Sequence, residues 1–187
     1  MNTEEPQPGK VYLAGAGPGD PSLLTLRAAE LLKTCDVILP DDLVSEAILD
    51  LASPTALIIP VGKRCGQPRI TQAGIHALML EHATEEKSVL RLKSGDPLIF
   101  GRAGEEIAFL REHRIPFEIV PGITAASAVA ATLQTPLTDR SSASKLIFAT
   151  AHHAAGKVSL PHNWAGTFPD DSTANATLVL YLPPSII

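Results

Sequence analysis

Three loops of small residues each follow directly on a short apolar run. Gly15-Ala16-Gly17-Pro18-Gly19-Asp20 follows Val11-Tyr12-Leu13-Ala14, Lys93-Ser94-Gly95-Asp96-Pro97 follows Val89-Leu90-Arg91-Leu92, and Pro121-Gly122-Ile123-Thr124-Ala125 follows Phe117-Glu118-Ile119-Val120. A β-rich run, a tight loop and a helical pattern in alternation is the grammar of βαβ units and of a mostly parallel sheet flanked by helices. Further strands are expected at Asp36–Leu39, Leu57–Ile59 and Lys145–Thr150. Helices are expected over Thr71 to Ala83, Ala103 to Arg111 and Thr124 to Leu133, and before the second strand, where Leu24, Ala28, Leu31 and Leu32 recur at helical spacing behind an Asp20-Pro21 start.

A chain of 187 residues that is 45% apolar can bury a full core, which excludes general disorder. A net charge of −5 with no basic run and 4% aromatic residues argues against a nucleic-acid partner. Apolar stretches such as Ile123 to Leu133 fall short of the roughly 18 residues of a membrane span. The polar, acidic start MNTEEPQPGK does not read as a signal peptide. Cys35 and Cys65 have no metal or disulfide spacing and read as buried thiols of a cytoplasmic protein, and the adjacent His152-His153 read as a solvated turn.

Loops at the carboxyl ends of parallel strands line ligand crevices in open α/β sheets. The first one fails the dinucleotide pattern GxGxxG, because Asp20 stands at the third glycine position and Pro18 removes a backbone donor. It is therefore a tight turn or a cradle for a neutral or zwitterionic ligand. Asp41-Asp42 close the second strand and Lys63-Arg64 follow the third, either as solvated charges or as an acid–base group beside an anion-binding cation. From Ala151 to Ala176 the chain is rich in His, Pro, Gly, Asp, Asn and Ser, with Trp164 as the one large anchor, and Thr177 to Leu182 is a single apolar run.

The segments GAGPGDPSLLTLRAAELL, DVILPDDLVS, VGKR, RLKSGDPLIFGR, VPGITAASA and TPLTDR, in this order from about Lys10 to Thr150, resemble the tetrapyrrole methylase family. The LVS and VGKR segments are similar to the branch that acts on uroporphyrinogen III. The resemblance implies a tetrapyrrole methylase-like fold, with residues 10–150 as the N-terminal α/β domain, 151–176 as a linker-like segment and 177–187 as the first strand of a second α/β domain, of which the chain holds only the start. It also implies S-adenosyl-L-methionine as methyl donor, no metal, and transfer to carbons two and seven of uroporphyrinogen III. The product would be precorrin-2, on the route to sirohaem and cobalamin, made by a cytoplasmic homodimer with no nucleic-acid or membrane partner.

Carried over by motif position, cofactor contacts fall on Pro18, Ser94, Gly95, Asp96, Ile99, Thr124 and Ala125, and on Leu182 after Tyr181. The catalytic positions are Asp41, as proton acceptor, and Lys63, as donor or carboxylate anchor, with Arg64, Arg102 and Arg140 as further anchors for the substrate's carboxylates. The chain departs from the pattern at Pro40-Asp41-Asp42, where Tyr-Asp-Arg is usual, at Ser94 for glycine, at Leu98 for phenylalanine and at Asp139 for histidine. Two other classes of function remain open from the residues: a non-catalytic binding or assembly module, and a nicotinamide enzyme with Asp41 on a ribose hydroxyl.

Overall fold

The computed structural model describes residues 7–62, 70–150 and 175–181. The chain divides into two compact units, Met1–Ala125 and Ala126–Ile187. In the first, β1 (Val11–Gly15), β2 (Val37–Pro40), β3 (Leu57–Ile58), β4 (Val89–Lys93) and β5 (Phe117–Val120) form a parallel five-stranded sheet in the order β3-β2-β4-β1-β5. Its helices are α1 (Leu26–Thr34), the single turn α2 (Glu46–Leu49), α3 (Gln72–Thr84) and α4 (Ala103–Glu112).

Successive strand side chains point to opposite faces, and this alternation divides the apolar residues between two cores. Tyr12, Ala14, Ile38, Leu90 and Leu92 pack with Ala28, Leu31 and Leu32 of α1 and Ile48 of α2. On the other face Val11, Leu13, Val37, Leu39 and Val89 pack with Ile75, Met79 and Ala83 of α3 and Leu110 of α4. The central strands are covered on both sides, which is why they read as near-continuous apolar runs rather than alternating ones. β3, at the edge, is exposed at both residues.

Two details differ from the sequence expectation. Asp20-Pro21 start only a 3-10 turn, Pro21–Leu23, because Leu24 and Thr25 are extended and interrupt the helix. The cap of α1 is Thr25, whose Oγ1 accepts the Ala28 N–H at 3.2 Å. The other difference is the partner of Lys145–Thr150. This strand, β6, pairs in parallel with β7 (Ala176–Tyr181) from Lys145↔Ala176 to Thr150↔Tyr181, in a sheet of its own among the described residues. The division between compact units falls after Ala125, and the ladder hydrogen bonds of β6 go to a strand further along the chain.

The helix α5 (Ala125–Thr132) carries the chain into the second unit. There the Tyr181 hydroxyl accepts the Ala126 N–H at 3.3 Å, and the Tyr181 and Phe148 rings stand 5.6 Å apart between centroids.

Candidate functional site

The strand order places a topological switch point between β1 and β4. These strands are neighbours, yet the chain leaves β1 towards β2 on one side and leaves β4 towards β5 on the other. Crossovers that depart in opposite directions leave a crevice at the carboxyl ends of the two strands, where open α/β sheets bind ligands. The loops after β1 and β4 close its floor: Gly17 N–H donates to Gly95 O at 3.1 Å, Gly95 N–H returns a bond to Gly17 O at 2.8 Å, and Ala16 N–H donates to Lys93 O at 2.7 Å.

The third loop is packed against the same floor. A Cβ built on Gly15 would lie 2.5 Å from Gly95 O and 2.6 Å from Gly122 Cα, so only glycine allows these backbones to approach. The Asp96 carboxylate joins the loops by accepting the Gly122 N–H at 3.0 Å on Oδ2 and the Leu98 N–H at 2.8 Å on Oδ1. A Cβ on Gly95 would instead have Thr124 Cα as its near neighbour at 4.0 Å, so the gap between the loops after β4 and β5 is open there.

Of the expected cofactor positions, Pro18 and Ala125 are exposed, and Ser94, Gly95, Asp96, Ile99 and Thr124 are half-buried. The three loops that carry Pro18, Ser94, Gly95, Asp96 and Thr124 all follow carboxyl ends of strands in the first unit. Leu182 and Lys63 lie outside the described residues, as do Arg64, Cys65, His152, His153 and Trp164.

Asp41 stands at the same end of the sheet, held by its backbone, whose N–H donates to Leu92 O at 2.9 Å. Below it is a cluster of charges that sequence reasoning missed. Arg91 is 2% exposed and Glu106 is 0% exposed. The Arg91 guanidinium donates through Nε to Glu106 Oε1 at 3.0 Å, through Nη1 to Leu39 O at 3.0 Å, and through Nη2 to Asp41 Oδ1. Lys93 Nζ lies 3.1 Å from both Glu106 oxygens and 4.0 Å from Asp41 Oδ2, and Gln72 Nε2 donates to Glu106 Oε1 at 3.3 Å.

Two cations thus face two carboxylates, a balance that buried charges require. Burial is the main reason the Lys93 ammonium is shifted below its usual pKa, with Arg91 adding repulsion while Glu106 and Asp41 oppose the shift. The available signal was the pair of cations at alternate positions of a strand buried on both faces, together with Glu106 on the Ala103–Leu110 stripe of a helix.

Other expected roles fare differently. The Arg102 fork is bound to Glu105 by Nε–Oε1 at 2.8 Å and Nη2–Oε2 at 2.7 Å, so its donors already face a carboxylate. Asp139 organises a turn: its Oδ1 accepts from the N–H groups of Ser141 and Ser142 at 2.9 and 3.0 Å and from both hydroxyls. The Ser141 hydroxyl is the largest of the causes that hold its carboxyl down to about 2. Among the described residues no three His, Cys, Asp or Glu side chains group as metal ligands, and no helix is long and apolar enough to cross a membrane.

The chain belongs to the tetrapyrrole (corrin/porphyrin) methylases, whose family model matches residues 10–186. It is 48% identical over 181 residues to a sirohaem synthase of Nitrosomonas europaea, covering 97% of this chain and 37% of that protein. It is 46% identical over 180 residues to the chloroplastic S-adenosyl-L-methionine-dependent uroporphyrinogen III methyltransferase of Arabidopsis thaliana, covering 94% of this chain and 46% of the relative.

The crystal structure of uroporphyrin-III C-methyltransferase from Thermus thermophilus superposes with a TM-score of 0.68 at 44% identity, over 77% of this chain and 61% of that one. A complex of the same enzyme with S-adenyl homocysteine gives a TM-score of 0.66 at 44% identity, over 79% of this chain and 58% of that one. The chain thus spans 37% and 46% of the length of the two curated relatives, and 61% and 58% of the two crystallised chains. Membership of this family takes the place of the nicotinamide alternative, in agreement with the broken glycine pattern of the first loop.

Proposed function

We propose that this chain takes part in the S-adenosyl-L-methionine-dependent C-methylation of uroporphyrinogen III at carbons two and seven, to precorrin-2, in sirohaem and cobalamin formation. The observation that carries the proposal is the placement of Asp41 on the rim beside a glycine-floored crevice. Bound S-adenosyl-L-methionine supplies a methyl group made electrophilic by its sulfonium.

Gly15, Gly95 and Gly122 let the loops form a continuous backbone surface for the donor, and Asp96 keeps that surface in register. Pro18, Ser94, Ile99, Thr124 and Ala125 supply the contacts around it, and Leu182 is a further contact expected from its motif position. Orientation of donor and acceptor at near-attack distance is the main catalytic contribution. A proton must leave the macrocycle after the new carbon bond forms, and Asp41 accepts it. With Arg91 on Oδ1, the oxygen that takes the proton is Oδ2. Lys63 and Arg140 anchor substrate carboxylates. The working protein is a cytoplasmic homodimer that needs no metal.

The alternative reading is a folded binding or assembly module without chemistry. Anaerobic incubation with uroporphyrinogen III and S-adenosyl-L-methionine, followed by mass spectrometry of the tetrapyrrole, separates the two. A gain of two methyl masses, lost in Asp41→Ala, is the expected result. A folded chain that binds S-adenosylhomocysteine and adds no methyl group establishes the module instead.

A further inference from the structure

Every nitrogen of the Arg91 guanidinium has an acceptor: Nε reaches Glu106 on α4, Nη1 reaches Leu39 O on β2 and Leu92 O on β4, and Nη2 reaches the Asp41 carboxylate just beyond β2. A planar fork whose three nitrogens are all engaged is held in one orientation. Glu106 is itself held from two further sides by Lys93 and Gln72, and at 0% exposure it reaches no ligand. Of the charged members of this cluster, Arg91, Lys93 and Glu106 are buried, and Asp41 is open to solvent with a side chain 30% exposed.

From this we propose that Arg91 is a positioning residue for methyl transfer: anchored by Glu106, it turns the Asp41 carboxylate so that Oδ1 is occupied and Oδ2 faces the crevice. The inference rests on the reading of Asp41 as proton acceptor. The hydrogen bond from Asp41 N–H to Leu92 O fixes the backbone of the acid, and Arg91 fixes its side chain, so no rotation remains to be lost when substrate arrives. Lys93 alone cannot replace it, because its single ammonium lies 4.0 Å from Asp41 and is engaged with both oxygens of Glu106.

Arg91→Lys keeps the charge and removes the fork. In the full chain, kcat is expected to fall about a hundredfold with a misplaced acceptor, while KM for the tetrapyrrole and affinity for S-adenosylhomocysteine stay unchanged. Glu106→Gln, which touches Arg91 and not Asp41, is expected to shift kcat in the same direction. Adding Arg91→Lys to Asp41→Asn should slow the reaction no further than Asp41→Asn alone. An equal slowing in both backgrounds would overturn the proposal, since Arg91 would then act independently of Asp41. If Asp41→Asn itself turns over at the full rate, the reading of Asp41 fails first and takes this inference with it.

A second measurement does not depend on turnover. Nitrogen-15 spectra should show the Arg91 Nη hydrogens as separate signals in the unaltered chain and as an averaged one in Asp41→Asn. Separate signals that persist in that variant mean that Asp41 is no part of the clamp, which also overturns the proposal.

Discussion

The N–H of Gly122 donates to Oδ2 of Asp96 at 3.0 Å, across 26 residues of chain, and so ties the loop after β5 to the loop after β4. The other oxygen of the same carboxylate accepts the Leu98 N–H at 2.8 Å within its own loop. Asp96 is therefore a strut of the crevice through its side chain.

Asp96→Ala should remove both bonds at once. Hydrogen bonds to charged groups contribute about 1.5–3 kcal/mol each, so a loss of about 3 kcal/mol in urea unfolding is expected. Calorimetry should show weaker S-adenosylhomocysteine binding in the same variant. Unchanged affinity would mean that the loops keep their places without the strut.

Glycine substitutions should separate into two groups. Gly15→Ala forces a Cβ to within 2.6 Å of Gly122 Cα, an overpacking that destabilises by about 1–3 kcal/mol and opens the floor. Gly104→Ala, on α4 with nothing within 4 Å of the new Cβ, should stabilise by about 0.4–1 kcal/mol. Chemical denaturation of the two variants beside the parent chain decides whether the crevice floor is as tight as the distances imply.

The acid limb of stability should depend on Asp36. The Ser88 hydroxyl and N–H donate to Asp36 Oδ2 at 2.6 and 2.8 Å, and the hydroxyl bond is the largest cause of a carboxyl pKa below the usual 3.8. A depressed carboxylate binds fewer protons folded than unfolded, so its contribution is complete above pH 3.8 and vanishes as pH falls through the lower folded value. The stability gap between the chain and Ser88→Ala should close in that window. A gap independent of pH would show that the pair is held by something other than the charge.

Cys35 should resist alkylation in the folded chain. Burial pushes its thiol up to about 12, which leaves almost no thiolate at mildly alkaline pH. Iodoacetamide followed by peptide mapping should label Cys35 only after denaturant is added, and labelling of the native chain would indicate an opening of the core around it.

The five strands of the first sheet and the three loops were legible from sequence because each is a local pattern: an apolar run, a glycine cluster, a helical period. The start of α1 was misread for a local reason too, since Asp20-Pro21 is a sound opening signal, and only the extended Leu24-Thr25 step reassigns it to a 3-10 turn. The partner of Lys145–Thr150 was not legible, because it depends on a register with Ala176–Tyr181 that no local pattern encodes. The Arg91–Glu106–Lys93 cluster was hidden for the same reason. Arg91 reads as an ordinary strand residue until α4 lays Glu106 beside it, so the carboxylate on the rim could be named while the device that holds it could not.

The opposite departures of the chain from β1 and β4 have an evolutionary consequence. A recess created by winding exists in the backbone before any side chain is chosen, so drift in the loop sequences can retune what it holds without disturbing either apolar layer. Ser94 and Asp42 stand on these outer segments, while Tyr12, Leu13, Leu90 and Leu92 stay fully enclosed. A scaffold of this kind can diversify at its mouth while its interior holds still.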